Sequence, residues 1–220
     1  MKTITVKGIG KASAQPDWIV LSLSLDTMDP DYAAAMQTAA NKIDQLNAAL
    51  ENIGFEAETV KTTNFDVYTD YSNQKDRHGD YHRVFNGYRV HHQLKISFAF
   101  DTQVLATALS TVSACMAQPE LSVRFTVKDT AAINQQLLQS AATNAKAKAE
   151  ILCAAAGASL GDLVNIHYSW GELNIYSRTQ YDMAEDCDCM VEGGIAPKGL
   201  DIHPEDIDVS DTVTFVWQIA

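Results

Sequence analysis

The sequence predicts an α+β domain in which a β-α-β-β unit occurs twice. Apolar residues alternate with polar ones over several stretches, as in half-buried strands, and recur at helical spacing over two long segments that each end at a glycine. The halves 1–101 and 119–220 carry these patterns in the same order, and a shorter helix predicted over 102–117 links them. We therefore expect antiparallel sheets with long hairpins packed against two long helices, in a single domain over 1–220.

The first half begins with a strand and a long helix. The strand alternates at Ile19, Leu21, Leu23 and Leu25. Asp29 and Pro30 then favour a helix start, because Asp caps helices and Pro suits their first turn. Gly54 marks the end of the helix. The apolar stripe between them consists of Tyr32, Met36, Ala39, Ile43, Leu46, Leu50 and Ile53.

A hairpin is predicted to follow the first long helix. Residues 59–71 and 88–100 are both extended in pattern, and the polar stretch 72–86 between them predicts a loose tip. On the second strand His92 falls on the apolar face, which favours a core or interface role for it. Adjacent residues of a strand face opposite ways, so His91 and His92 are not expected to serve one site.

The second half repeats the order strand, cap, helix, glycine and hairpin. Asp129 occupies the cap position, Gly157 ends the helix, and strands are predicted over 163–170 and 213–219. The linking helix is expected to end before Pro119. The strand and helix positions that carry this pattern are Val123, Phe125, Val127, Ile133, Leu137, Ala141, Ala145, Ala149, Leu152 and Ala156.

The connection over 171–208 is long for a compact domain and strongly acidic. Residues 182–211 hold ten of the 28 acidic residues and one of the 16 basic ones, so this segment carries most of the net charge of −12. We interpret the connection as either a mobile tip or an element that orders against a partner.

Charge and hydropathy exclude two classes of partner. The chain is acidic and has no stripe of Lys or Arg, which argues against nucleic-acid binding. Its apolar runs are too short to cross a bilayer, which predicts no integral membrane segment. The N-terminus alternates as a strand does, which indicates a cytoplasmic location, or a periplasmic one if a signal peptide has been removed.

Several short motifs in order resemble the SIMPL domain family, long described as a domain of unknown function. The resemblance covers nearly the whole chain and implies an α+β fold with a tendency to oligomerise. Bacterial relatives are mostly periplasmic or envelope proteins, some linked to oxidative stress, and a eukaryotic relative is a kinase-associated signalling protein. The family has no established catalytic residues. The matching motifs are Val6–Gly10, Pro16–Asp17, Gly87–Tyr88, Ala141–Ala149 with Gly157 and Leu160–Gly161, and Val213–Trp217.

Cys187 and Cys189 form the sharpest candidate for metal or redox chemistry. His167 and His203 could complete a ligand set if the acidic connection folds over. Closed zinc sites usually have two or more residues between paired ligands, and neighbouring carboxylates disfavour the thiolate. A solvated acidic loop is therefore the expected state, with a metal- or redox-responsive segment as the alternative, and we predict no cofactor.

No common enzyme motif occurs in the structural setting that its chemistry needs. The glycines Gly8 and Gly10 precede a strand rather than a helix, so they favour a bulge or a close backbone contact over a phosphate loop. The spacing Gly-x-Ser-x-Gly occurs once, at 157–161, but there it follows a predicted helix and precedes a predicted strand, whereas a nucleophile elbow joins a strand to a helix. We therefore identify no such elbow, and we find no convincing Cys–His pair. These observations favour a non-enzymatic protein, with a small-molecule enzyme of unrecognised site as the alternative.

Aromatic side chains concentrate near the predicted hairpin tips. Tyr and Trp are favoured at protein interfaces, so the aromatic residues predict a homo-oligomer or a module that binds another protein. The family resemblance implies a relation to stress. The candidate interface residues are Tyr68, Tyr71, Phe85, Tyr88, Trp170 and Tyr176.

Overall fold

A computed structural model describes residues 2–76, 80–169, 171, 173–183 and 202–220. The described part is mixed α+β, with three α-helices and two antiparallel sheets of three and five strands, which confirms the predicted fold class. The elements are β1 (Thr3–Ala14), β2 (Trp18–Asp29), α1 (Tyr32–Asn52), β3 (Lys61–Lys75), β4 (Tyr81–Ala99), α2 (Thr102–Ser113), β5 (Glu120–Thr126), α3 (Thr130–Ala155), β6 (Leu160–His167), β7 (Tyr176–Met183) and β8 (Ile207–Ile219), with a 3-10 turn over Ala57–Thr59.

The strands form two sheets with orders β1-β8-β6 and β3-β4-β2-β5-β7. Both halves contain the predicted unit, as β2-α1-β3-β4 and as β5-α3-β6-β8 with β7 inserted. The second repeat begins with β5, which lies beside β2 in the five-stranded sheet. It does not join β6 and β8, because β1 occupies the place beside β8. The chain also divides into two compact units by its internal contacts, 1–18 with 125–179 and 204–220, and 19–124 with 180–203.

In the first of these units, α3 packs on the sheet β1-β8-β6. Every second residue of β1 faces the helix, and two of these residues are Gly8 and Gly10. A Cβ atom on Gly8 would collide with the carbonyl oxygen of Ala141, and one on Gly10 with that of Leu137. The predicted close backbone contact of these glycines is therefore confirmed. The core of this layer consists of Val6, Ala141, Ala145, Ala149, Val213, Phe215 and Trp217.

Side chains of α3 also close the free edge of β1. The backbone N–H groups of Ile9 and Lys11 donate to Asn144 Oδ1 (3.0 Å) and Ser140 Oγ (3.2 Å). Lys148 Nζ donates to the carbonyl oxygen of Lys7 at 3.1 Å. The three helix residues are four apart and therefore lie on one stripe, which satisfies edge groups that could otherwise pair with another strand.

In the second unit, α1 packs against β4 and α2. Its apolar stripe buries Leu46 and Leu50 completely, as the helical spacing predicted. Gly54 follows the C-cap residue with a φ of +100°, the left-handed conformation that glycine adopts at least cost. Gly157 has the same role after α3, with a φ of +69°.

Two predicted helix termini require correction. The N-cap of α1 is Asp31, whose side chain accepts from Ala34 N at 2.9 Å, while Asp29 accepts from Asp31 N before the helix begins. The linking helix α2 ends at Ser113 rather than at residue 117, and Gln118, just before Pro119, has a φ of +46°. The Asp129 cap is confirmed, since its carboxylate accepts from two backbone N–H groups of the first turn of α3.

Several other boundaries were also wrong. The stretch 72–86 is mostly strand, because β3 continues to Lys75 and β4 begins at Tyr81, so Gly87 lies within β4 rather than at its start. The predicted connection 171–208 contains β7, and β6 begins at Leu160 and ends at His167. On α3 the buried position is Cys153, whereas Leu152 is 52% exposed.

Candidate functional site

The hairpin formed by β3 and β4 contains a bulge that decides which side chains share a face. Asp70 pairs with Gly87 and Tyr71 pairs with Phe85, so Asn86 is the extra residue. The Asn86 side chain donates to Asp70 Oδ2 and accepts from Ser72 Oγ, each at 2.8 Å. A bulge shifts the alternation of the strand by one residue. Residues 85 and 88, which would otherwise face opposite ways, therefore lie on one face.

The bulge also needs the glycine at position 87. Gly87 has a φ of +153°, which side chains with a Cβ rarely adopt. A Cβ atom there would lie 2.6 Å from the carbonyl oxygen of Asp29, at the end of β2. The glycine thus allows β4 to approach β2 closely just where the alternation changes.

On the shared face, four rings form a continuous aromatic cluster, defined here as Tyr32, Tyr71, Phe85 and Tyr88. The ring centroids of Tyr71 and Phe85 lie 5.6 Å apart, those of Phe85 and Tyr88 5.4 Å, and those of Tyr88 and Tyr32 5.5 Å, all edge-to-face. This is the arrangement that aromatic quadrupoles favour. The Arg83 guanidinium lies 4.0 Å from the centroid of the Tyr71 ring and extends the cluster toward the tip.

The cluster lies at the edge of a buried core. Tyr32 is the first residue of α1, and beside it Ala35, Ala39 and Val90 form a buried core. Helix α1 begins at Tyr32, beside Tyr88, and the hairpin continues toward its tip beyond this first turn of the helix. The cluster is therefore half open to solvent, with Tyr32 51%, Tyr71 41% and Phe85 42% exposed.

The predicted interface residues do not all come together. Tyr71, Phe85 and Tyr88 belong to the cluster, and Tyr32 is a member that the sequence did not single out. Tyr68 lies on the opposite face of the hairpin, where it pairs with Arg89 and is 49% exposed. Tyr176 lies on β7, away from this hairpin in sequence and in strand pairing, and Trp170 is outside the described residues.

His92 is buried in the same hairpin, as the apolar face predicted. Its Nε2 lies 2.9 Å from Thr62 Oγ1, and the Phe65 ring packs edge-on against it at 5.1 Å. Burial lowers the pKa of His92, and the neighbouring His91 lowers it further. His91 faces the other way, and its Nδ1 lies 3.1 Å from Asp26 Oδ1. The two histidines therefore lie in different surroundings.

The predicted metal or redox set is only partly described. Cys187 and Cys189 lie outside the described residues. His167 is the last residue of β6, and His203 lies in the short segment before β8. Within the ranges that the structure describes, His, Cys, Asp and Glu side chains form no group of three suited to a metal ion. The two other cysteines, Cys115 after the end of α2 and Cys153 on α3, are buried and free, which is the usual state of Cys as a small hydrophobic residue.

Fold and site together define an α+β protein whose most distinctive described surface is a half-exposed aromatic cluster on a long hairpin. The helices among the described residues are too short or too polar to cross a bilayer. The chain belongs to the SIMPL family, whose model matches residues 4–217 and is described as "Protein of unknown function (DUF541)". The resemblance seen in the sequence is thereby confirmed over nearly the whole chain. A search of curated proteins gives no match.

Proposed function

We propose that this protein is a non-enzymatic scaffold that self-associates through the aromatic cluster of the β3–β4 hairpin. The observation that carries the proposal is the open end of the cluster, where Tyr71 and Phe85 stay about 40% exposed although a bulge and a glycine position them. A side chain that served only the core would be covered by α1, as Val90 is.

A second copy of the chain is the occupant we favour. The cluster consists of Tyr and Phe side chains with Arg83 beside it; aromatic residues and Arg are enriched at interfaces, and Tyr and Arg are frequent hot spots there. Edge-to-face ring pairs and the contact of Arg83 with Tyr71 can form equally well between two copies related by a two-fold axis. In such a pair the same surface supplies both sides of the interface.

Light scattering over a wide concentration range tests this proposal. We expect the mass of the wild-type protein to exceed that of the monomer and to fall on dilution. The double variant Tyr71→Ser/Phe85→Ser should raise the dissociation constant about 100-fold or more, because each ring is expected to act as a hot spot.

The matched control is Tyr68→Ser, on the same strand, at similar exposure but on the opposite face. This variant should associate as the wild type does. A wild-type protein that stays monomeric at all concentrations would overturn the proposal, as would equal loss of association in the control.

A further inference from the structure

The open face of the sheet β1-β8-β6 carries a row of three side chains that cross its strands. Lys7 on β1 pairs with Thr214 on β8, and Thr214 pairs with His167 on β6. Directly paired residues in antiparallel strands point to the same face with Cβ atoms about 5 Å apart. A lysine ammonium and an imidazole therefore flank one hydroxyl on the face that α3 does not cover.

This row lines a groove of about 530 Å³. Two hydroxyl side chains, Thr212 and Ser169, add further hydrogen-bond donors to the lining, which also includes Ile166 and Tyr168. The lining contains no carboxylate, although the chain as a whole has a net charge of −12. A groove with this lining offers donors and positive charge where most of the protein offers acceptors.

The orientation of His167 is fixed by its neighbour. Ile166 N donates to Asn165 Oδ1 at 2.8 Å, so the amide nitrogen of Asn165 is directed elsewhere, and it lies 3.2 Å from His167 Nε2. An amide nitrogen can only donate, so Nε2 accepts and the ring proton sits on Nδ1. Nδ1 has no hydrogen-bond partner among the described residues, and its N–H remains available to a ligand.

The carboxylate of Asp211, which contacts two lining residues, already has donors. Asp211 accepts from the Thr212 backbone N–H at 2.7 Å and from the Tyr168 hydroxyl. This hydrogen bond raises the pKa of Tyr168, with burial and the Asp211 charge acting in the same direction, so the phenol stays protonated. Lys7 Nζ forms no ion pair with any residue that the structure describes, so no described carboxylate neutralises its charge.

We propose that this groove binds the phosphate group of a small molecule, with Lys7 supplying the charge and His167 Nδ1–H and the threonine hydroxyls supplying hydrogen bonds. A phosphate has oxygens on all sides and can accept from both flanking strands at once, whereas a carboxylate has two oxygens in one plane. Free phosphate and a phosphorylated metabolite share this chemistry. The proposal is independent of self-association through the hairpin.

Titration of the full-length protein with inorganic phosphate, followed by amide NMR at constant ionic strength, tests the site. We expect saturable shifts of residues 7, 167, 212 and 214 with a dissociation constant of about 1 mM, typical of a few charge-assisted contacts on a shallow surface. Glycerol phosphate serves as the second arm. Tighter binding of the ester identifies a phosphorylated small molecule as the ligand, and tighter binding of inorganic phosphate identifies the free ion.

Two variants separate a built site from general charge. Lys7→Met should weaken phosphate binding about tenfold or more, while Lys11→Met, four residues along the same strand face and outside the groove, should leave it within about twofold. Thermal unfolding of both variants checks that each is folded. Shifts that do not saturate, equal losses in the two variants, or equal binding of acetate would overturn the proposal.

Discussion

The two long helices cover their strands to different extents. Helix α3 follows β1 closely: glycines at positions 8 and 10 bring the backbones together, and side chains of Ser140, Asn144 and Lys148 satisfy the strand edge. Helix α1 begins at Tyr32, and the β3–β4 hairpin continues beyond it with Tyr71 and Phe85 half exposed. The first arrangement satisfies the outer backbone groups of Lys7, Ile9 and Lys11 on β1, whereas the second leaves a structured aromatic surface half exposed.

The largest effect is expected where helix and strand are closest. Gly8→Ala places a Cβ against the Ala141 carbonyl, and neither backbone can move without disturbing the core of Val6 and Phe215. We expect a loss of about 3 kcal/mol in the free energy of unfolding, measured with urea. Gly171→Ala, in open space, is the control and should change stability by less than about 0.5 kcal/mol. Equal effects at the two positions would show that the α3 layer is not tightly packed.

A smaller effect is expected at the edge of β1. Asn144→Ala removes the acceptor of the Ile9 N–H, which water can replace in part because the site is exposed. We expect a loss of about 1 kcal/mol in the free energy of unfolding. Gln136→Ala, on an exposed position two turns earlier in α3, is the control. If both variants are as stable as the wild type, the edge contacts contribute nothing and the contrast with the hairpin weakens.

The hairpin should in turn show a pH dependence of its stability through His92. The pKa of His92 is lowered in the folded state, chiefly by burial, so below about pH 6.5 the unfolded chain binds a proton that the folded one does not. Stability contributed by neutral His92 is therefore present above this pH and is lost as the pH falls toward the folded-state pKa.

Urea midpoints measured between about pH 7.5 and about pH 5 check this dependence. The decline should be shallower in His92→Gln, which has no group that titrates there. A decline of the same slope in both proteins would assign the pH dependence to other residues and would contradict the role of His92.

The sequence predicted what periodicity and caps encode locally. The buried stripe of α3 from Ile133 to Ala149, the Asp129 cap and the glycines that end both long helices were correct, whereas Leu152 and Ala156 at the end of the predicted stripe are exposed. The errors arose where distant residues decide. The pairing of β3 with β4 extends the hairpin into a polar stretch that local composition assigns to a loop. The order β1-β8-β6 depends on which strand fills a place beside β8, and no local pattern encodes this.

For the candidate site, the sequence identified the right residue types without their grouping. Strict alternation separates Phe85 from Tyr88, and only the bulge at Asn86 brings them together. Gly87 was the available signal, because a glycine within a strand often marks a bulge or a close backbone approach. Tyr68 was grouped with Tyr71 by proximity along the chain, although three positions on an unbroken strand place them on opposite faces.

Fluorine NMR of the protein labelled with 3-fluorotyrosine, followed from dilute to concentrated solution, tests the central claim most directly. The account predicts that the resonances of Tyr71 and Tyr32 shift or broaden with concentration while that of Tyr68, on the other face of the same hairpin, does not. Each resonance can be assigned by replacing its tyrosine with phenylalanine. Concentration-dependent changes at Tyr68 as large as those at Tyr71, or a rise in mass with no change at either, would contradict the account.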